Sequence, residues 1–551
     1  MVKFPFIHKG KSSHISFESA SGDSARGMFI FYTIGVGVFF LIVISRMFQL
    51  TVVKGEYYAS LADENRVKEI IIEAPRGTIL DRKGVVLASN TNPDLASIAE
   101  RIPSKRMYHD TSSFVSHVLG YRQIANQDDL NKDSCINKLV LGDTIGKKGI
   151  EQAFDCKLRG RHGKKLVEVD AFGNVLKTLS VLAPQQGETI QLSIDSRLQQ
   201  KAYELMEGHK GAIVGLKPST GEVLIMLSTP GYDPQLFEDG ATTQTEALIL
   251  GEDKPLFNRA TKGTYPPGST YKMFVAAAGL EEGVITPEET IKDEGVLEAG
   301  PLKFHNWYFL EYGRTEGEVD MVKALKRSND IYFYVLGAKL GPEKMKRWAE
   351  TFGFQSSTGI ALPESIGVIP FPFWKEDTLG EKWYLGDTYN SAIGQGYVSV
   401  TPLQITRATA VFANNGALCK AQLLKIGNVV KPECKGVPIS RSTYKVIREG
   451  MKQACETGGT GWPFFNFSVT ELVKESTTAA TLQHRMRVGC KTGTAESHAV
   501  SGKPHAWFTV FAPFDDPEIV LTVLVEEGGQ GSDIAAPIAK SILKHYFERN
   551  E

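Results

Sequence analysis

The tetrapeptide Ser-Thr-Tyr-Lys occurs twice in this 551-residue chain, at Ser269 to Lys272 and at Ser442 to Lys445, and Ser541 to Lys544 repeats the Ser-x-x-Lys spacing. A serine hydroxyl followed three positions later by a lysine is a nucleophile with its base, provided the amine is uncharged. An amine loses its proton near neutral pH only when burial or neighbouring charge disfavours the ammonium. The flanking sequence therefore has to decide which pair, if any, is chemical.

Ser442 lies in GVPISRSTYKVIREGMKQAC. Ser440 or Ser442 suits a helix N-cap, and Val446, Ile447, Met451 and Ala454 then recur at helical spacing among charged residues. That pattern is a surface helix, and Lys445 on it faces water with an ordinary pKa. Ser541 falls in a C-terminal amphipathic helix. Ser269 differs: Pro266, Pro267 and Gly268 force a turn before it, and MFVAAAGL after it is apolar nearly all round. Such a helix is buried, so Lys272, one turn on from Ser269 and on the same side, is desolvated. The helix start also offers free N–H groups and the positive end of its dipole.

Two further stretches add hydroxyl and amine groups. KRSNDIYFYVLG places Ser328, Asn329 and Asp330 at the start of an apolar helix, and VGCKTGTAES places Lys491, Thr492, Gly493 and Thr494 on a strand-like run. Taken alone, the first reads as a capping turn and the second as a surface β-turn. The order Ser-x-x-Lys, Ser-x-Asp, Lys-Thr-Gly, with 59 and then 163 residues between motif starts, is far more specific. A histidine-based triad at His505 has no support, because the chain contains no Gly-x-Ser-x-Gly elbow.

The surrounding elements set the frame. Gly27 to Ser45 is nineteen residues without a charge, about 28 Å as a helix and close to the thickness of a bilayer core. No small-x-small cleavage site follows, so an uncleaved anchor is expected over 27–48. Lys3, Lys9, Lys11 and Arg26 against Glu18 and Asp23 keep residues 1–26 in the cytoplasm and send the remainder outward. Residues 49–187 carry short alternating runs broken by glycine and proline and read as a spacer or docking module. From residue 188 a strand-like TIQLSI, a helix with Leu198, Ala202 and Leu205 on one face, and a hairpin over 211–230 open a second module. HAWFTVFAP, EIVLTVLVEE and a final helix close it near 548. One sheet built from distant segments and covered by helices is expected. The formal net charge of −1 gives nucleic acid no footing. The six cysteines show no metal-type spacing; unpaired core residues are the simpler reading, with a Cys419–Cys434 bridge as the alternative.

In these three motifs the chain resembles the penicillin-binding proteins and active-site serine β-lactamases. PRGTILDRKGVVLAS resembles the pedestal signature of the class B penicillin-binding proteins, and KPLFNRATKGTYPPGSTYK the approach to their active serine. WYLGDTYNSAIGQGYVSVTPLQ, HAWFTVFAP and the aspartate in Ser-Asn-Asp are most like the elongation-specific penicillin-binding protein 2 branch. The resemblance implies an α+β multidomain protein with one transmembrane helix, an elongated mixed α/β pedestal and a penicillin-binding transpeptidase domain, an antiparallel sheet covered by helices.

The implied activity is a peptidoglycan D,D-transpeptidase that cross-links stem peptides ending in D-Ala-D-Ala and is blocked by β-lactams. Ser269 would be nucleophile, neutral Lys272 its base, Ser328 a proton bridge and Lys491 the positive charge. Asp330, Thr492, Gly493 and Thr494 would contact substrate. A bacterial inner-membrane location with the catalytic domain outside, a partner glycosyltransferase and elongation-complex proteins follow from the same resemblance. D,D-carboxypeptidase or β-lactamase hydrolysis, and a mainly scaffolding role toward the glycosyltransferase, are the rival readings. Some elongation enzymes hold zinc upstream of the second motif. Asp293 and His305 fall there, but the further glycine-flanked histidine is replaced around Gly313, Arg314 and Thr315, so no metal or other cofactor is expected. Residues 458–493 look longer than usual ahead of Lys-Thr-Gly, which implies an extra surface loop.

Overall fold

A computed structural model describes residues 24–91, 105–109, 112–170, 172–427, 432–475, 478–497 and 502–548. The tail charges that set the expected orientation, Lys3 to Asp23, lie outside the described residues. The chain forms two compact units, residues 1–72 with 163–183, and 73–162 with 184–551.

In the first unit the uncharged run forms helix α1 (Ser24–Phe48), which a wider π-type turn (Gln49–Val53) prolongs. Its apolar side chains are exposed on every side, and the span Arg26–Val53 is long and apolar enough to cross a membrane. Strands β1 (Val67–Ile72), β2 (Gly163–Val169) and β3 (Val175–Leu182) form an antiparallel sheet in that order, with β3 fully exposed at its edge.

The second unit begins with the PRGTILD segment. Arg76 is buried between Glu151 and Asp155, and Arg106 shares Glu151. Burial works against the charge on Glu151, but the Arg106 and Arg76 guanidiniums hold its carboxyl down at about 2. Short strands here pair in the order 106–108, 86–90, 79–80 and 190–191. The expected TIQLSI strand shrinks to Ile190–Gln191 and pairs in parallel with Ile79–Leu80, outside the catalytic sheet. Its alternating residues fit either sheet, and only the distant partner strand decides.

The main sheet contains β4 (Gly211–Leu216), β5 (Val223–Thr229), β6 (Gly489–Ala495), β7 (His505–Ala512) and β8 (Ile519–Val525) in the order β5-β4-β8-β7-β6, antiparallel throughout. Alternation along β7 divides the core. Trp507 and Phe511 face one cluster, which includes α2 (Lys272–Glu281), α3 (Asp330–Leu340) and α4 (Pro402–Ala413). Phe508 and Val510 face the other, under α5 (Ala535–Phe547). The hairpin over 211–230, the two C-terminal strands and the final helix thus stand where the sequence reading put them.

The unpaired reading of the cysteines is overturned, and the alternative Cys419–Cys434 bridge is present. Bridges join Cys135–Cys156, Cys419–Cys434 and Cys455–Cys490, and none of the six is free. Their separations of 21, 15 and 35 residues carry no local signature. The extra segment expected before Lys-Thr-Gly contains a two-stranded hairpin, Ser468–Glu475 against Thr478–Arg485.

Candidate active site

The turn imposed by Pro266, Pro267 and Gly268 becomes a short 3-10 turn (Gly268–Tyr271) that runs directly into α2. Gly268 has φ +54°, and a Cβ there would come within 2.6 Å of the Thr494 carbonyl oxygen, so only glycine fits. Trp507 Nε1 donates to the Pro266 carbonyl (3.0 Å) and ties this turn to β7. Ser269 is half-buried on the wall of a cleft of about 1040 Å³. Lys272 to Gly279 are buried, as the apolar run required.

Ser328 ends helix α6 (Met321–Arg327) and precedes α3 in a left-handed backbone conformation, φ 54°. A non-glycine residue pays for that conformation, and neighbouring groups enforce it. Asn329 caps α3 through Tyr332 N (2.9 Å) and donates to Asp293 Oδ2 (2.8 Å). Asp293 is a hub: its carboxylate also accepts from Asn306 Nδ2, Gly295 N and Glu316 N. Asn306 Oδ1 in turn accepts from Asp330 N (3.1 Å). Among the described residues no group of three His, Cys, Asp or Glu side chains is arranged to hold a metal ion.

The amines converge on Ser328. Lys491 Nζ stands 2.8 Å from Ser328 Oγ and donates to the Thr492 carbonyl (3.0 Å). Lys272 Nζ reaches Ser328 O (2.8 Å), Ser328 Oγ (3.4 Å) and Asp330 Oδ1 (2.6 Å). Asp330 Oδ2 is held by Trp307 N (2.8 Å). Burial lowers the proton affinity of Lys272, and Asp330 partly restores it. Lys491 falls well below the usual lysine range through burial and the charge of Lys272. All three ammonium hydrogens of Lys272 have acceptors, one of them an anion. Among the described residues Lys491 has no carboxylate within ion-pair distance. Asp330 thus favours an ammonium on Lys272 over one on Lys491. The Asp330 contact with Lys272 is not legible from spacing. Among the described residues Ser269 Oγ makes no hydrogen bond.

Lys491 sits within β6 rather than at its end, and β6 is the edge of the main sheet. The Thr494 carbonyl accepts from Gln395 Nε2 (3.2 Å), so the Thr494 peptide edge faces away from β7. The N–H and C=O of one strand residue point the same way, so the Thr494 N–H opens toward Ser269. Thr492 Oγ1 bonds to Thr460 Oγ1 (2.8 Å), and Thr494 is exposed. All eight predicted site residues are thus in one neighbourhood.

The transpeptidase domain model of the penicillin-binding proteins matches residues 211–544, and the penicillin-binding protein dimerisation domain model matches residues 92–192. Peptidoglycan D,D-transpeptidase MrdA of Haemophilus influenzae is 31% identical over 92% of this chain and 89% of its own length. This chain belongs to the penicillin-binding proteins. Among solved structures, Pseudomonas aeruginosa PBP2 in complex with WCK 5153 aligns with TM-score 0.72 at 34% identity, covering 87% of this chain and 96% of that one. Helicobacter pylori PBP2 in complex with MreC aligns with TM-score 0.73 at 29% identity over 87% and 99%.

The rejected serines of this penicillin-binding protein behave as their neighbours required. Ser442 is exposed on helix α7 (Arg441–Ala454), capped by Ser440 through Thr443 N. Ser541 Oγ donates to the Pro537 carbonyl within α5. Sequence reasoning weighed Asp293 only as a metal ligand and missed Asn306, Gln395 and Thr460. Gln395, set between Gly394 and Gly396, and Thr460, set between Gly459 and Gly461, had a visible signal in those glycines; Asn306 had none.

Gly493 supplies a direct test of close approach. A Cβ there would meet Thr270 Cγ2 at 2.9 Å, Pro267 O at 3.0 Å and Trp507 Cβ at 3.0 Å. Gly493→Ala is expected to push β6 from the Ser269 turn and cut the penicillin acylation rate at least about tenfold, at a stability cost of about 1–3 kcal/mol. Stopped-flow acylation alongside thermal unfolding checks both figures.

Proposed function

We propose that this protein is a serine-type D,D-transpeptidase that cross-links peptidoglycan stem peptides during cell elongation, with Ser269 as its nucleophile. The observation that carries the reading is the convergence of Lys272 and Lys491 on Ser328 Oγ beside Ser269 in one cleft.

The charge distribution suggests how the site is switched on. It holds two buried amines but one nearby carboxylate, Asp330. A stem peptide brings a second, its C-terminal carboxylate, into the region of Lys491, Thr492 and Thr494. That charge stabilises an ammonium on Lys491, and the proton it needs passes from Lys272 through the Ser328 hydroxyl. Lys272 is then neutral. It takes the Ser269 proton as Oγ attacks the carbonyl between the two D-alanines. The oxyanion lies between the N–H groups of Ser269 and Thr494, each donor contributing about 3–4 kcal/mol in comparable acyl-transfer sites. The proton on Lys272 passes by Ser328 to the departing D-alanine nitrogen, leaving an acyl ester on Ser269. The amine of a neighbouring stem attacks that ester, gives up its proton through Lys272 to Ser269 Oγ, and leaves as the cross-linked product. β-Lactams acylate Ser269 in the same way but keep their leaving group tethered.

The domain reading is a tail over 1–26, a membrane helix over 27–48, a pedestal over 49–187 and the transpeptidase domain over 188–548. The apolar helix and the tail charges favour a single-pass protein of the inner membrane with its catalytic domain on the periplasmic side. The Helicobacter pylori relative captured with MreC supports docking to elongation-complex proteins, with a membrane glycosyltransferase as the source of glycan strands.

The test is intact mass after incubation with benzylpenicillin, followed by peptide mapping. One adduct on the peptide bearing Ser269 is expected, and cross-linked dimers should appear when the protein meets nascent glycan with intact stems. An adduct at Ser442, or release of D-alanine with no cross-links, would overturn the corresponding part.

A further inference from the structure

Between α7 and the inserted hairpin runs ETGGTGW (456–462), a stretch pressed against the Cys455–Cys490 bridge. A Cβ on Gly459 would meet the Ala454 carbonyl oxygen at 2.2 Å, and one on Gly461 would meet Cys490 Sγ at 2.7 Å. Both positions must be glycine. The residue between them, Thr460, is held by its N–H on the Lys326 carbonyl (3.3 Å), and Gly461 N donates to the Ala454 carbonyl (2.8 Å). Arg327 Nη1 clamps the same loop through the Gly458 carbonyl (2.8 Å). The bridge anchors the other side, since Cys490 directly precedes Lys491. Thr460 is thus a fixed hydroxyl in the cleft wall, 2.8 Å from that of Thr492.

We propose that Thr460 belongs to the subsite that receives the substrate's terminal carboxylate, as a hydroxyl coupled to Thr492; this rests on the reading of the cleft given above. A carboxylate accepts hydrogen bonds only, and each threonine has one hydrogen to give. At rest the pair uses one hydrogen between its own two oxygens. When a carboxylate arrives, Thr460 donates to Thr492 Oγ1 and frees the Thr492 hydrogen for the anion, or the two exchange roles. In either sense the chain is polarised toward the negative charge. Without Thr460, the Thr492 hydroxyl loses the partner that orients it.

The experiment compares two thioester substrates on the full chain in detergent, one whose leaving group carries a carboxylate and one whose leaving group does not. Thr460→Val keeps the side-chain shape and removes the hydroxyl. For the carboxylate-bearing thioester its KM should rise about tenfold with kcat little changed, the effect of a lost hydrogen bond to a charged group. The carboxylate-free thioester should be turned over as by the unaltered protein, and Thr460→Ser should restore the lost affinity. Equal losses on both substrates, or no loss on either, would overturn the role of Thr460. If the unaltered protein turns over neither thioester and takes no penicillin, the catalytic reading itself fails.

Discussion

Ser269→Ala is expected to abolish covalent labelling by penicillin and to reduce acyl transfer by a factor on the order of 10⁴ to 10⁶, the scale seen when a serine nucleophile is removed. The variant should also be clean. Among the described residues the Ser269 hydroxyl makes no hydrogen bond, and the side chain is only half-buried, so its loss leaves no polar group unpaired. Thermal unfolding should stay within about one degree of the unaltered protein, because such a change falls among near-neutral substitutions. Ser442→Ala is the matched control. That serine carries the same tetrapeptide but stands exposed at the start of a surface helix, far in sequence from the buried amines. Its removal should change neither labelling nor cross-linking. A penicillin adduct that persists on Ser269→Ala would end the proposed mechanism.

The difference between the two tetrapeptides was readable because burial is written in the residues that follow them. MFVAAAGL has no polar face to turn to water, whereas VIREGMKQA has one, and the structure treats them accordingly. The strands at 211–230 and 505–525 were legible for the same reason: alternation or continuous apolarity fixes which faces are covered. What could not be read depends on contacts between distant segments. Asp330 was expected near substrate, and its ion pair with Lys272, which spans 58 residues, was not. Asp293 gathers four N–H groups from residues 295, 306, 316 and 329, none of them marked as its partner in sequence. The Cys455–Cys490 bridge closes around an inserted hairpin, and nothing near either cysteine names the other. Local pattern gave the elements, the three motifs and the Cys419–Cys434 bridge as an alternative; electrostatic detail and the other two bridges came from tertiary packing.

The charge arrangement makes opposite predictions for two substitutions. Lys491→Met removes the amine that takes the proton from Lys272, so Lys272 stays an ammonium bound to Asp330 and Ser328. Acylation at neutral pH should fall by about 10²–10⁴, the usual contribution of a positioned proton acceptor. Activity should recover in part as pH rises, because Lys272 must now lose its proton to solvent, and the acid limb of the pH–rate profile moves up. Asp330→Asn removes the anion that raises the proton affinity of Lys272, while burial still lowers it. The acid limb should then move down. Stability supplies an independent sign. Burial and the charge of Lys272 hold the proton affinity of folded Lys491 well below its value in the unfolded chain, near 10.5. Between those two values the unfolded state binds more protons, so stability rises with pH by about 1.4 kcal/mol per unit for that group. Lys491→Met lacks this contribution and should show a flatter rise in denaturant midpoint across the alkaline range. If both variants shift the acid limb the same way, or Lys491→Met matches the unaltered protein in its pH–stability slope, the charge is not shared between the two amines as described.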